Sequence, residues 1–291
     1  MRYFPVLLTL FLPLSASAQS LPYWQDVNVT SVNAETRRAE TVWFADRAHA
    51  LSKGFRESEN YVDLNGVWEF RYFEDCHEME SQKDSLSWDR IRVPGNWEMQ
   101  GFGVPVYVNI PYDFAPRDPQ PPALPEVFPA ALYHRTFTVP EGWAGRTVFL
   151  NLAGIKSGAY VYVNGKEIGY SEDSKSLARF DVTAALKKGD NDLTLKVYRY
   201  STGSYLECQD FWRISGIERD VYLSSEKTPD RFGFSVVSTV DPTLTKGVFR
   251  LNMRSQGRSE VFYELLDKNG ETGAGAVLGV RGGVDTGPRY P

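Results

Sequence analysis

Val161-Tyr162-Val163-Asn164-Gly165-Lys166-Glu167-Ile168 is the stretch that decides the fold. Two runs alternating apolar and polar residues flank an Asn-Gly pair. Asn-Gly tolerates positive φ at both central positions of a two-residue turn, so the segment predicts a tight β-hairpin. The same alternation recurs at residues 67–72 (VWEFRY), 147–152 (TVFLNL) and 193–198 (LTLKVY). A period of two puts one face of each strand on a core and the other on solvent or ligand. Asp181 heads a single predicted helical turn at residues 181–186, closed by Lys187-Lys188-Gly189. No long amphipathic helical pattern occurs, so many short strands with Gly, Pro and Asn punctuation predict an all-β chain, a jelly roll or antiparallel sandwich.

Composition narrows the function. The chain has 291 residues, 42% hydrophobic and 24% charged, which is globular. A formal net charge of −5 argues against nucleic-acid binding, which needs a basic face. Aromatic residues make up 14%, which suits a β-rich protein and also suits carbohydrate binding. The N-terminus resembles a secretory signal: Arg2, then the apolar run at residues 6–12, then Ser15-Ala16-Ser17-Ala18 before Gln19. That run is too short to span a bilayer, and no second long one follows, so no membrane span is expected. The expectation is an exported, periplasmic or secreted protein with residues 1–18 removed. Cys76 and Cys208 are the two cysteines; export permits a disulfide, but two free thiols are the favoured reading. His49, His77 and His134 are scattered, and no C-x-x-C supports a metal site.

Residues 19–60 are polar and irregular, with Glu35-Thr36-Arg37-Arg38 mixing charges, and predict an extended arm lying on something larger. Residues 61–226 carry the regular strand signals. Seven prolines in residues 111–129 exclude an inner strand and predict a long surface loop. The pattern breaks at Ser225-Glu226-Lys227-Thr228-Pro229 and resumes at Phe232. Residues 227–291 are too few for an immunoglobulin-like sandwich of about 100 residues, so the start of one, truncated, is predicted. Its Gly-Ala-rich end, residues 270–291, does not read as strand and is expected to be poorly ordered.

The densest chemistry lies in residues 209–223, QDFWRISGIERDVYL. A carboxylate, an indole and two guanidiniums stand beside a glycine turn. Carboxylates grip sugar hydroxyls, and aromatic faces cover the apolar face of a ring. Further motifs precede it in order: VPGNWEMQG at 93–101, PVYVNIPY at 105–112, YHRTF at 133–137, GIKS at 154–157, VNGKEIGYS at 163–171 and SYLECQD at 204–210. Together they resemble the N-terminal sugar-binding domain of glycoside hydrolase family 2, specifically its β-galactosidases. The chain departs from that pattern at Phe128-Pro129-Ala130-Ala131-Leu132, where the family tends to have Asn-Pro-x-Gly.

The resemblance implies a galactose-binding-like jelly roll followed by an incomplete immunoglobulin-like sandwich. It implies that Asp210 and Asn109 are sugar contacts, with Asp210 also close to a monovalent cation. Local alternatives stand beside both: an ion pair with Arg213 or a cap on the turn at Phe211 for Asp210, and a turn residue before Pro111 for Asn109. Trp212 is expected to pack beneath the loop, Trp97 in a core, and Arg219-Asp220 in ion pairs; Glu98 is expected exposed and solvated. No catalytic residue is expected here. A retaining glycosidase needs two carboxylates about 5 Å apart. In the family they sit on a following barrel of about 250 residues. The expectation is therefore part of an exported β-galactosidase, acting on β-galactosides but inactive alone. No cofactor is expected within the chain; sodium, magnesium and a homo-oligomer are implied for a full-length enzyme. A stand-alone carbohydrate-binding module and a purely structural domain are the competing readings.

Overall fold

In the computed structural model the described residues are 21–81, 87–115, 117–227, 232–255, 259–266, 269–270 and 272–280. Residues 1–18, expected to be a signal, lie outside them, as do residues 281–291 of the expected poorly ordered tail. The described chain is mostly strand, and its helices run to six residues at most. None is long and apolar enough to cross a membrane.

Two antiparallel sheets make a jelly-roll sandwich. The larger has seven strands in the order Ser31–Val32, Lys166–Ser171, Gly158–Val163, Asp190–Tyr198, Ala130–Thr138, Gly66–Phe73 and Asp89–Val93. The smaller runs Ala178–Asp181, Arg146–Leu152, Val221–Lys227 and Tyr61–Asp63. The Asn-Gly hairpin forms as its sequence dictates: φ is +52° at Asn164 and +76° at Gly165, and Val163 pairs with Lys166. Alternation places Leu193, Leu195 and Val197 inward against Trp68, Phe70, Leu150, Phe180 and Leu223. Burying an aliphatic or Phe side chain of this kind stabilises by about 1.5–3 kcal/mol. The helical turn predicted at 181–186 is a tighter 3₁₀ turn, Thr183–Ala185, with Asp181 accepting from the Thr183 amide at 3.0 Å.

The outer face of the large sheet is not left to solvent. Trp24 of the arm stacks on Tyr198 at 5.4 Å and meets Phe128 edge-on at 5.2 Å, over Leu132, Tyr160 and Tyr170. The arm then adds Ser31–Val32 as an edge strand along Lys166–Ser171. Gly169 makes that approach possible: a Cβ there would lie 2.2 Å from the Val32 carbonyl oxygen and 2.9 Å from Phe180. Gly169→Ala is expected to detach the edge strand and cost about 1–3 kcal/mol. Hydrogen exchange would show lost protection in residues 170–172, and unchanged protection there would count against the close approach.

Beyond residue 231 the described chain forms two hairpins, Phe232–Val240 with Gly247–Ser255 and Ser259–Leu266 with Thr272–Val280. Thr272–Val280 is strand, where its Gly-Ala composition did not read as one. Ladder hydrogen bonds use the backbone alone, so small side chains do not prevent pairing with a partner strand.

Candidate functional site

Three short strands close one end of the sandwich: Gly95–Asn96, Gly216–Ile217 and Ile155–Lys156. They anchor the return of the chain after residue 209. Gly216 sits at φ +113°, and a Cβ there would stand 2.9 Å from the Tyr133 hydroxyl and 3.1 Å from the Gly95 carbonyl. Just before it, a backbone bridge ties the loop carrying Arg213 to the loop carrying Val106, with the Arg213 amide donating to the Val106 carbonyl at 2.7 Å.

That bridge brings together loops a hundred residues apart in sequence. The Tyr107 hydroxyl donates to Asp210 at 3.2 Å. The Tyr107 and Trp212 rings lie 5.5 Å apart, and each is about half exposed. Asp210 is exposed, and Asn109 is exposed on a bend two residues beyond Tyr107. Neither local alternative for Asp210 is found among the described residues. Arg213 turns inward instead, donating to the carbonyls of Gln209 and of Ile110, the latter at 3.1 Å, and lying 3.9 Å from Asp113. Trp212, expected beneath the loop, is instead about half exposed, while Arg213 beside it is buried.

Beneath the exposed surface runs a buried polar network. Glu98, expected exposed, has a fully buried side chain. It accepts from Arg199 at 2.7 Å and from the Ser215 amide at 2.8 Å. Burial holds its carboxyl above the usual range, while the Ser215 amide and Arg199 pull it back. Arg199 also donates to the Tyr200 hydroxyl at 3.1 Å and to the Arg213 carbonyl at 3.2 Å; Tyr200 donates to Asp113 at 2.7 Å. Trp97, next to Glu98, is fully buried in the core. Asp220 pairs with Arg56, while Arg219 donates to the Lys175 carbonyl at 3.2 Å. Cys76 and Cys208 are free thiols. No sequence signal separates Glu98 from a surface glutamate, since its partners lie 101 and 117 positions away.

The exposed set can accept and donate hydrogen bonds to hydroxyls through Asp210, Asn109 and Tyr107, and can stack on a ring through Trp212. Toward the monovalent cation that the resemblance implies, Asp210 offers one carboxylate, which is a single ligand and not a complete set. A hard cation takes about six oxygens. Among the described residues only the Tyr107 hydroxyl meets Asp210, and Lys156, Lys175 and Arg213 crowd the ring of the adjacent Phe211. No step is therefore derived through a metal.

By class this is a jelly roll with one polar and aromatic loop end. The sugar binding domain of glycosyl hydrolases family 2 matches residues 61–228, more than half of the sequence, and the chain belongs to that family. It is 36% identical over 241 residues to a β-galactosidase of Priestia megaterium, covering 80% of this chain and 23% of that protein. It is 37% identical over 258 residues to a β-galactosidase of Streptococcus thermophilus, covering 85% and 25%. The chain thus spans about a quarter of the length of these curated relatives. Among solved structures it is similar to a Bifidobacterium dentium β-glucuronidase complexed with coumarin-3-O-glucuronide. The TM-score is 0.54 at 19% identity, over 77% of this chain and 41% of that one, a likeness of fold.

Proposed function

We propose that this chain is the N-terminal, sugar-side portion of an exported β-galactosidase that hydrolyses terminal β-D-galactosides with retention. Asp210 and Asn109 contact the sugar, and the reacting carboxylates belong to a barrel outside this chain. The observation that carries the reading is the bridge between Val106 and Arg213, which holds Tyr107, Asp210 and Trp212 exposed at one end of the sandwich. An exposed carboxylate and an exposed aromatic pair, held over a buried network, suit contact with a hydroxylated ring. The relatives named β-galactosidase favour galactose. Export rests on the signal-like residues 1–18.

The purified 291-residue chain is expected to leave a chromogenic β-galactoside unchanged, since retention needs two carboxylates about 5 Å apart. Turnover above buffer would overturn that division of labour. The exposed Tyr107–Trp212 pair favours a second reading, a carbohydrate-binding module that works alone. Calorimetric titration separates the two: galactose binding at millimolar or better, lost in Asp210→Ala, selects the module. No binding by the chain, with binding in a full-length relative lost on the equivalent exchange, selects the enzyme portion.

A further inference from the structure

Where the arm crosses the sandwich, Arg37 and Arg38 line a cleft of about 370 Å³ together with Lys175 and Arg219. Against these four cations stands one carboxylate in the lining, Glu40. Three of the cations have acidic partners, and those partners lie outside the lining. Asp173 is 3.5 Å from Arg37, Glu226 is 3.2 Å from Arg38, and Glu218 pairs with Lys175. Arg219 has no such partner: among the described residues no carboxylate comes within salt-bridge distance of it. Its one side-chain bond there runs from Nη1 to the Lys175 carbonyl at 3.2 Å.

The fold holds that guanidinium in place. The Glu218 and Arg219 amides both donate to the Gly154 carbonyl, at 2.9 and 3.3 Å. The Arg219 stem packs over the same glycine, where a Cβ would stand 3.3 Å from its Cγ and Cδ. Arg37 is fixed as well, donating to the Leu177 carbonyl at 3.3 Å and to the Ser171 hydroxyl at 2.9 Å. Side chains ordered before a ligand arrives lower the entropic cost of binding it.

We propose that this cleft is a binding site for a small oxyanion, a carboxylate, sulfate or phosphate group, with Arg219 as its main contact. A guanidinium presents five N–H donors in a planar fork that matches such oxygens in pairs. Arg219 gives one donor to Lys175 and keeps the others for a ligand. Arg37, Arg38 and Lys175 add a positive field, which their partners reduce but which Arg219 sustains. The volume falls in the range of small-molecule sites, so the oxyanion can ride on a body the size of a monosaccharide. Glu40 opposes an anion, but it is exposed and screened by water. Arg219 and Lys175 are exposed too, so the affinity expected at low salt is modest, about millimolar. Neither Asp210 nor Asn109 lines this cleft, so the site stands apart from the galactose reading.

The test is calorimetric titration of the full 291-residue chain at low ionic strength. Its probes are inorganic phosphate, sulfate and glucuronate, with glucose as the uncharged counterpart of glucuronate. At least one anion is expected to bind saturably and to weaken as salt is added, with glucose silent. Arg219→Gln is expected to weaken that binding about tenfold and Lys175→Gln severalfold, whereas Lys53→Gln, outside the cleft, leaves it unchanged. Arg219→Lys keeps the charge without the fork and is expected to recover part of the loss. Melting temperatures check that each variant is folded; should Arg219→Gln unfold, Lys175→Gln carries the same comparison. Glucuronate binding tighter than both inorganic ions identifies a sugar acid, and phosphate or sulfate binding tighter identifies the free ion. No saturable binding of any anion, equal binding of glucose, or binding indifferent to the Arg219 and Lys175 exchanges would overturn the proposal.

Discussion

Glu98→Ala is expected to destabilise the jelly roll by about 3–5 kcal/mol, the range for stripping one partner from a buried ion pair. Arg199 keeps its charge, and its side chain is only 8% exposed, so water cannot replace the lost carboxylate. The Ser215 amide also loses its acceptor. For a domain of this size the melting temperature falls on the order of 10 °C. Glu98→Gln can still accept from Ser215 but leaves Arg199 without its close carboxylate, so it is expected to recover only a minor part of the loss. Thermal unfolding by circular dichroism measures both variants. A fall of a degree or two in Glu98→Ala would mean that Arg199 finds another partner, Asp113 at 4.0 Å being the nearest candidate. The consequence extends to the surface. Glu98, Arg199 and Asp113 are what Arg213 and the 209–215 loop rest on, so a galactose contact at Asp210 would loosen with them.

The network also explains which parts of the chain were legible from sequence. Hairpins and core strands were, because their signals are local. Asn164 and Gly165 are adjacent, and Leu193, Leu195 and Val197 repeat at the strand period. The two loops of the candidate site were legible as motifs, through Asn109 and Asp210. Their support was not. Glu98 looks like any surface glutamate until the chain folds back and sets Arg199 beside it. Trp212 looks like a packing residue until the fold leaves it about half exposed. The same holds for the arm. A polar, irregular stretch predicts something lying on a larger surface, but only the fold shows Trp24 covering the Tyr160, Tyr170 and Tyr198 face. At Thr272–Val280 small residues conceal a strand that pairs through its backbone with Ser259–Leu266.

Glu226→Ala is expected to cost a comparable 3–5 kcal/mol, and for the same reason. Glu226 lies on the central strand Val221–Lys227 and pairs with Arg179 of the edge strand Ala178–Asp181, both side chains 6% exposed. Arg179 is packed over the Phe149 ring at 3.4 Å, so it cannot swing out to solvent without breaking that contact. Glu226 also accepts from Arg38 of the arm at 3.2 Å. Removing it therefore strands one buried guanidinium and frees a second one whose side chain is 25% exposed. These two effects separate experimentally. Loss of Arg38 contact is expected to speed tryptic cleavage at Arg37 and Arg38 in the native state, because local opening of the arm becomes easier. Loss of the Arg179 partner is expected to lower global stability instead. In the double variant Glu226→Leu with Arg179→Met, the charge left unpaired is gone. Global stability should return to within about 1 kcal/mol of the parent, or above it, while the arm stays sensitive to trypsin. If the double variant is as unstable as Glu226→Ala, the unpaired Arg179 charge is not the cause. The loss would then lie in packing between Phe149 and the strand Val221–Lys227.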